Sequence, residues 1–325
     1  MTAKKKLKLI DLFAGIGGIR QGFVRAAKDR ISVVYSNDFD KHAVQTYAAN
    51  FSEIDSRSIL DVPVSEIPSF DILVGGFPCQ AFSIAGKRQG FAETRGTLFF
   101  NVEKILEKHK PAAFLLENVG HLMHHNGGAT FNTIHKVLTE KLKYDVHYKI
   151  LNSKNFGVPQ NRPRIYIVGF KKKTPFEFPK ESKRVPLKSI LEKPGSVDEK
   201  YYISQKYYEG LERHKKRHQD RGNGFGYMVL ENDGVANTLV LGGMGRERNL
   251  VRDIPKNVYT KGKDKLKTKN ALGLRKLTVK ETLRLQGFED DFIFPVSNTQ
   301  ALRQIANSVT VPVIEAIARQ MLKYL

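Results

Sequence analysis

The stretch that decides the fold reads Leu-Lys-Leu-Ile-Asp-Leu-Phe-Ala-Gly-Ile-Gly-Gly at residues 7–18. Its apolar first half predicts a buried strand, its glycines predict a tight turn, and the apolar spacing over 19–27 predicts a helix. A strand that enters a helix through small residues lets a ligand approach the backbone and the helix N-terminus. The glycine spacing differs from the dinucleotide-binding pattern, because Arg20 stands where the third glycine of that pattern belongs.

Strands and helices alternate along the first half of the chain. The elements that periodicity predicts after residue 27 are strands at 31–35, 70–74, 112–116, 146–151 and 165–170, and helices at 41–50, 98–109 and 131–142. Such alternation predicts an α/β fold with a mostly parallel sheet that helices cover on both faces.

The composition and the periodicity of the sequence change after Phe170. Residues 171–270 are rich in Lys, Gly and Pro, and short strands are predicted only at 227–230 and 238–241. We therefore expect a second, smaller, loop-rich domain there. Helices are predicted again at 278–286 and 299–325. The expected domains are 1–175 completed by 300–325, a smaller domain at 176–272, and a connecting hinge at 273–299.

The charge balance of the chain points to a polyanionic partner. The 325 residues hold 54 Lys and Arg against 33 Asp and Glu, a net charge of +21. Nucleic acid is the default partner for such an excess, and the alternative is a generally basic protein. We find no secretory signal and no apolar run long enough for a bilayer, so we expect a cytoplasmic location and no membrane contact.

The single cysteine, Cys79, stands in Gly-Gly-Phe-Pro-Cys-Gln at 75–80, directly after a predicted strand. One cysteine excludes an internal disulfide and a zinc site of several cysteines. Glu117 follows the next predicted strand in the same way, and open α/β sheets bind ligands at this carboxyl edge. Alone, Glu117 would as readily be a helix cap or a surface group. Beside a thiol on the neighbouring strand, it predicts an acid next to a nucleophile.

Other polar residues near predicted strand ends have two readings each. Arg162 and Arg164 fall on one face by alternation and can donate to phosphate or to a carbonyl oxygen, or they belong to a solvated basic edge strand. Asp38 can accept hydrogen bonds from ribose hydroxyls or cap the helix at 41–50. The histidines at 121–125 have no carboxylate or cysteine at a useful spacing, so we expect no metal site.

Together these motifs resemble the DNA cytosine-5 methyltransferase family, in the compact bacterial restriction-modification form. The resemblance follows the family's order over most of the chain. Its segments are the cofactor turn at 11–18, the nucleophile loop at 75–80, the acid motif at 117–119, the Gln-x-Arg-x-Arg motif at 160–164, the supporting helix at 275–288 and the closing motif at 304–309.

The resemblance implies a fold and a reaction. The fold is a Rossmann-like S-adenosyl-L-methionine-dependent methyltransferase domain with a target recognition domain at 176–272. In the implied reaction, the Cys79 thiolate adds to C6 of a cytosine flipped out of the duplex, and methyl transfer to C5 leaves S-adenosyl-L-homocysteine. Glu117 would hydrogen-bond to or protonate N3, Arg164 would hold O2, and Arg162 would bind phosphate or brace the loop.

The resemblance also implies binding residues. The cofactor contacts are Phe13, Gly15, Gly17, Gly18, Asp38, Phe39, Ser58, Ile59, Pro78, Leu98, Asn307 and Val309. Ser58 stands where the family commonly has an acidic residue, for which Asp55 or Asp61 could substitute. The DNA contacts are Ser83, Lys87 and Arg95 in a loop that closes over the DNA, together with Gln160, Thr238 and Phe225.

The implied partners are double-stranded DNA and a cognate restriction endonuclease that acts on the same site, with the protein itself a monomer. One rival is a transfer-RNA cytosine-5 methyltransferase, which shares the catalytic motifs but carries a Cys-Phe-Thr signature that we do not find. The other rival is a non-catalytic DNA-binding regulator on a decayed scaffold. The intact catalytic positions argue against that reading.

Overall fold

The computed structural model describes residues 6–51, 53–78, 98–182, 184–240, 245–253, 270 and 272–325. The strands are β1 (Leu7–Leu12), β2 (Ile31–Asn37), β3 (Ile72–Gly76), β4 (Ala113–Val119), β5 (Asp145–Asn152), β6 (Gln160–Asn161), β7 (Pro163–Phe170), β8 (Ala236–Asn237), β9 (Leu250–Arg252) and β10 (Leu274–Lys276). The α-helices are α1 (Gly18–Ala27), α2 (Lys41–Asn50), α3 (Leu98–His109), α4 (Ala129–Lys136), α5 (Gln205–Asp220), α6 (Val279–Leu285), α7 (Asn298–Asn307) and α8 (Val311–Met321).

The main sheet has the strand order β2-β1-β3-β4-β7-β5. The pairings of β1 with β2, β1 with β3 and β3 with β4 are parallel. Strand β7 lies between β4 and β5 and is antiparallel to both, so it is the one described strand of this sheet that runs in the opposite direction. The prediction of a mostly parallel sheet is therefore confirmed. Because β7 is antiparallel, its first residues meet the last residues of β3 and β4 at one edge.

Helices cover both faces of this sheet, as predicted. On one face, α1 and α8 pack Phe23 and Ile317 against the sheet. On the other face, α3 and α4 contribute Val102 and Ile134 to a second apolar cluster. In α3 the buried residues recur at the spacing of a single helix face, which is why periodicity predicted its limits.

The C-terminal helix lies directly on the first helix. A Cβ added at Gly22 of α1 would stand 2.6 Å from Ile314 of α8, so only glycine permits this approach. The helix predicted at 299–325 is instead two helices, α7 and α8, with Ser308–Thr310 between them. Pro312 is the second residue of α8, and proline is tolerated in the first turn of a helix but not in its interior, so the sequence indicates that a new helix begins here.

The short strands predicted at 227–230 and 238–241 were wrong where the structure describes them. Residues 227–230 contribute a single bridge, between Val229 and Leu250. The second strand lies earlier, as β8, which pairs with β6 in parallel. Both strands lack the long alternation that would have fixed their limits, and residue 241 lies outside the described residues.

Helix α5 was missed by the sequence analysis, which expected loops in this region. It runs for 16 residues but buries only Leu211, so it has no apolar stripe to reveal it. The available signal was its N-cap, because the Ser204 hydroxyl accepts a hydrogen bond from the Tyr207 amide. Among the helices that the structure describes, none is long and apolar enough to cross a membrane.

Candidate active site

A cavity of about 540 Å³ opens at the carboxyl edge of the main sheet. It is bounded by the turn after β1, the ends of β2, β3 and β4, the start of β7, and the connection between α7 and α8. The predicted site residues that line it are Phe13, Gly15, Gly18, Asp38, Phe39, Pro78, Leu98, Glu117, Arg162, Arg164, Asn307 and Val309. Residues far apart in sequence therefore meet where the sheet topology predicted a ligand site.

The glycine turn after β1 shapes one wall of this cavity. Gly15 and Gly17 have left-handed φ values of 55° and 78°. A Cβ at Gly18 would stand 2.7 Å from the Ser308 hydroxyl oxygen and 2.9 Å from a methyl of Val309. The turn and the α7–α8 connection thus touch only because Gly18 has no side chain. Gly17 packs against Phe51 instead and does not line the cavity.

Asp38 links the end of β2 to the glycine turn. Its carboxylate accepts hydrogen bonds from the backbone amides of Gly15 and Asp40, at 2.8 and 2.9 Å. The N-cap of α2 is Asp40, whose carboxylate accepts from the amides of His42 and Ala43. The helix-cap reading of Asp38 was therefore wrong. Burial raises the pKa of Asp38.

Glu117 and Arg164 form an ion pair inside the cavity. The carboxylate of Glu117, at the end of β4, lies 3.2 Å from Nε of Arg164. Burial raises the pKa of the Glu117 carboxyl above its usual value, and the positive charges of Arg164 and Arg162 oppose that rise. A carboxyl in this setting holds a proton more readily than one in water, and it can pass that proton to a bound group.

Arg162 is held by backbone carbonyl groups. Its guanidinium donates to the carbonyl oxygens of Ala306 and Ser308 at 3.0 and 2.7 Å, and to that of Leu239 at 3.4 Å. The residue is 3% exposed, and β7 is an interior strand, so the reading as a solvated edge strand was wrong. Of the two roles implied for Arg162, this geometry favours bracing of the loop.

Among the cavity residues that were not predicted from the sequence are Asn118 and Gln304. Asn118 donates from its side-chain amide to the carbonyl of Phe77 at 2.8 Å and so fixes the backbone just before Pro78. Gln304 of α7 lines the cavity and accepts a hydrogen bond from Thr46. Both stand inside motifs that the sequence analysis quoted, so their position beside predicted site residues was the available signal.

Some predicted cofactor contacts lie elsewhere. Ile59 is buried in the apolar cluster on one face of the sheet, and Ser58 begins a turn by accepting the amide of Asp61. Neither of them is among the described residues that line the cavity. Asp55, one of the proposed substitutes, is occupied by Arg57, which donates to both of its carboxylate oxygens.

The predicted DNA contacts are spread over the molecule. Gln160 is fully buried and its side-chain amide donates to the carbonyl of Leu285, so the prediction that it touches DNA does not hold. Thr238 donates its hydroxyl to the carbonyl of Asn161. Phe225 is 45% exposed and lies against the ring of His218, 5.4 Å between centroids. The predicted residues that lie outside the described part of the chain are Cys79, Ser83, Lys87 and Arg95.

The described part of the structure arranges no set of metal ligands around the histidines at 121–125. Within the ranges that the structure describes, no group of three or more His, Cys, Asp or Glu side chains is arranged to hold a metal ion. His125 pairs with the Thr130 hydroxyl instead, at 2.8 Å from Nδ1.

Comparison with protein families and curated proteins gives one consistent result. The family model described as C-5 cytosine-specific DNA methylase matches residues 7–323. The Type II methyltransferase M.HpaII of Haemophilus parainfluenzae is 47% identical, over 99% of this chain and 91% of its own length. The Type II methyltransferase M1.ScrFI of Lactococcus lactis subsp. cremoris is 44% identical, over 98% and 79%.

Solved structures agree on the fold. The Entamoeba histolytica methyltransferase EhMeth superposes with a TM-score of 0.75 at 20% identity, covering 99% of each chain. The S. pombe Dnmt2 methyltransferase gives 0.72 at 17% identity, covering 98% of this chain and 99% of its own. At these identities the likeness concerns the fold alone.

Proposed function

The chain belongs to the C-5 cytosine-specific DNA methylase family and is a DNA cytosine-5 methyltransferase, and we propose that its cavity at the sheet edge binds S-adenosyl-L-methionine beside the target base. The observation that carries the proposal is one shared cavity. The glycine turn lines it on one side, and the ion pair of Glu117 and Arg164 lines it on another.

The residues of the cavity suit the cofactor. Nothing lies within 4 Å of a Cβ at Gly15, so this glycine leaves the backbone open to a ligand, and Gly18 lines the same cavity. The Asp38 carboxylate is placed to accept from ribose hydroxyls. Phe39 is 69% exposed at the cavity wall, an unusual position for a large apolar ring and a suitable one for stacking on adenine. The opposite wall would be Asn307 and Val309, with Phe13, Pro78 and Leu98 completing the site. The bound cofactor would supply an electrophilic methyl group.

Cys79 is the proposed nucleophile, because C5 of cytosine is itself a weak nucleophile. The residue lies outside the described part of the chain, and it follows Pro78, which lines the cavity. When the thiolate adds to C6, N3 takes a proton from the Glu117 carboxyl and C5 becomes the carbon of an enamine. Arg164 would donate to O2, where negative charge also develops.

The later steps restore the base and the enzyme. C5 would take the methyl group as the bond between that methyl and the cofactor sulfur breaks, which leaves S-adenosyl-L-homocysteine, and a base would then remove the proton from C5. The electrons of that C–H bond re-form the C5–C6 double bond, the thiolate leaves, and N3 returns its proton to Glu117. The free thiolate and the protonated carboxyl are then ready for another turnover.

The DNA must present its cytosine outside the stack, because a base inside a duplex cannot reach side chains within a cavity. We propose that residues 176–272, called the recognition segment below, read the DNA sequence, with Thr238 and Phe225 among its contacts. In this proposal 1–175 with 300–325 form the catalytic domain and 273–299 form the hinge. Ser83, Lys87 and Arg95 would contact DNA from the loop after Cys79, and the net charge of +21 favours the phosphate backbone.

A role in restriction-modification would follow from the relatives, five of which are named Type II methyltransferases at 44–47% identity. The partner would be an endonuclease that cuts the same site when it is unmethylated, and the methyltransferase would act as a monomer.

The test is methyl transfer from radiolabelled cofactor to duplex DNA and to transfer RNA, followed by bisulfite sequencing of plasmid from a host that expresses the chain. We expect label in duplex DNA and protected cytosines within one short sequence. Label in transfer RNA alone would refute the proposal. If neither the duplex DNA nor the transfer RNA is labelled, the result would favour the non-catalytic regulator.

A further inference from the structure

A buried network of polar side chains joins the cavity wall to the recognition segment. Its centre is a pair of glutamines, Gln160 in β6 and Gln286 after α6, both with no exposed surface. Nε2 of Gln160 donates to Oε1 of Gln286 at 3.2 Å. The two residues lie 126 positions apart in the sequence, so the contact exists only in the folded protein.

The first arm of the network reaches the cavity wall. Nε2 of Gln286 donates to the carbonyls of Ile305 and Ser308, at 2.9 and 3.3 Å. Its Oε1 accepts from the hydroxyl of Thr310 at 2.8 Å. These bonds fix both sides of Val309, whose side chain lines the cavity and meets Gly18 of the glycine turn.

The second arm reaches the recognition segment. Oε1 of Gln160 accepts from the backbone amide of Leu239 at 3.2 Å, directly after Thr238. Pairing of β6 with β8 holds the residues just before Leu239. Arg162 connects the two arms directly, because its guanidinium donates both to the Leu239 carbonyl and to the Ser308 carbonyl.

Such a network has a strong preference for one arrangement. Each buried donor or acceptor that loses its partner costs free energy, so a shift of one arm strains the other. We propose that Gln286 is a positioning residue for methyl transfer, which couples the conformation of the recognition segment at Leu239 to the cofactor wall at Ser308–Val309. This inference rests on the proposed function. DNA and cofactor would then favour each other's binding, although neither touches Gln286.

The experiment measures that coupling directly. Titration calorimetry gives the affinity of the full-length protein for S-adenosyl-L-homocysteine, alone and with a duplex that carries the site found by bisulfite sequencing. For the wild type we expect the duplex to raise the affinity by a factor of about 5–150, the usual range of coupling between sites. For Gln286→Met, similar in size but unable to make these bonds, we expect a factor within about twofold of 1.

Two further variants separate coupling from stability. Thr310→Val removes one bond to Gln286 and should lower the coupling factor partially. Tyr144→Phe removes a buried hydrogen bond to the carbonyl of Pro111, away from the network, and should lower the melting temperature with the coupling factor unchanged.

The outcomes are distinct. Coupling in Gln286→Met that equals that of Tyr144→Phe would overturn the inference and leave Gln286 a structural residue. A wild-type factor of 1 would overturn it as well. If Gln286→Met does not fold, wild-type coupling in Thr310→Val has the same meaning. Failure of the wild type to bind S-adenosyl-L-homocysteine at all would instead refute the proposed function.

Discussion

The sheet edge and the recognition segment are built in opposite ways. At the edge, Gly76 and Glu117 are direct neighbours in the ladder between β3 and β4, and the ladder between β4 and β7 reaches Arg164. In the recognition segment, the described strands have two or three residues, and α5 buries only Leu211. Regular ladders fix the residues proposed for chemistry, while few contacts hold those proposed to read DNA. Changes at the edge should therefore alter the rate of methyl transfer or the binding of the cofactor, and changes in the segment should alter the affinity for DNA.

Among the changes that test this difference between the two regions, Glu117→Gln should have the largest effect, which is on kcat. We predict that kcat falls by about 10²–10³, because glutamine can hydrogen-bond to N3 but cannot give it a proton. The pH profile should change too. Burial raises the pKa of Glu117, and the protonated form is lost as pH rises, so the alkaline limb of the wild-type profile should be absent from the variant.

The matched control is Glu103→Gln. Glu103 is a buried residue of α3 that does not line the cavity, and its carboxylate lies 2.7 Å from Nζ of Lys141. This variant should keep the wild-type kcat and the alkaline limb. Equal losses in both variants would mean that Glu117 matters for folding and not for proton transfer.

Gly18→Ala should weaken cofactor binding. The new methyl would press on the Ser308 hydroxyl and on Val309, and such overpacking costs about 1–3 kcal/mol, which corresponds to a loss of about 5- to 150-fold in affinity for S-adenosyl-L-homocysteine. Gly224→Ala is the control in the recognition segment, because nothing lies within 4 Å of the added Cβ. Unchanged affinity in Gly18→Ala, measured by calorimetry, would show that the cofactor does not use this wall.

Asp11→Asn should change how stability depends on pH. Burial under the glycine turn raises the pKa of Asp11 to about 7. The folded protein then holds the proton more tightly than the unfolded chain, so wild-type stability falls as pH rises from about 4 to about 7. The variant has no such proton.

From pH 5.5 to pH 8 the variant should gain about 2 kcal/mol relative to the wild type, measured by urea unfolding at each pH. A constant difference between the two proteins across that range would contradict the raised pKa.

The smallest effect is expected on α5. Arg213 and Arg217 lie one turn apart on a groove of this helix, as a contact to the phosphate backbone would require. Each change to Ala should lower DNA affinity by about 2- to 5-fold and reduce the salt slope by about 1, with kcat unchanged. Arg319→Ala, on α8, should change neither. A fall in kcat without a change in salt slope would contradict this prediction, because it would mean that α5 affects catalysis and does not contact the DNA backbone.

Sequence reasoning succeeded where local pattern and tertiary structure agree. The limits of α2 and α3 and the mostly parallel sheet came from regular apolar spacing, and the glycine turn came from residues that only a tight turn requires. It failed where contacts distant in sequence decide. Gln160 was read as a DNA contact, because nothing in its neighbours reveals that Leu285 and Gln286 bury it. Helix α5 lacks an apolar stripe, so its pattern resembled a charged loop.

The most direct test of the account concerns Cys79. With the cofactor present, the wild type should form a denaturation-resistant adduct with duplex DNA that carries 5-fluorocytosine at the target. After methyl transfer C5 then holds fluorine in place of the proton whose removal releases the thiolate. Cys79→Ser should form no adduct and lose methyl transfer by about 10⁴-fold or more, while it still binds DNA. An adduct with Cys79→Ser, or none with a wild type that methylates normal DNA, would contradict the assignment of Cys79 as the nucleophile.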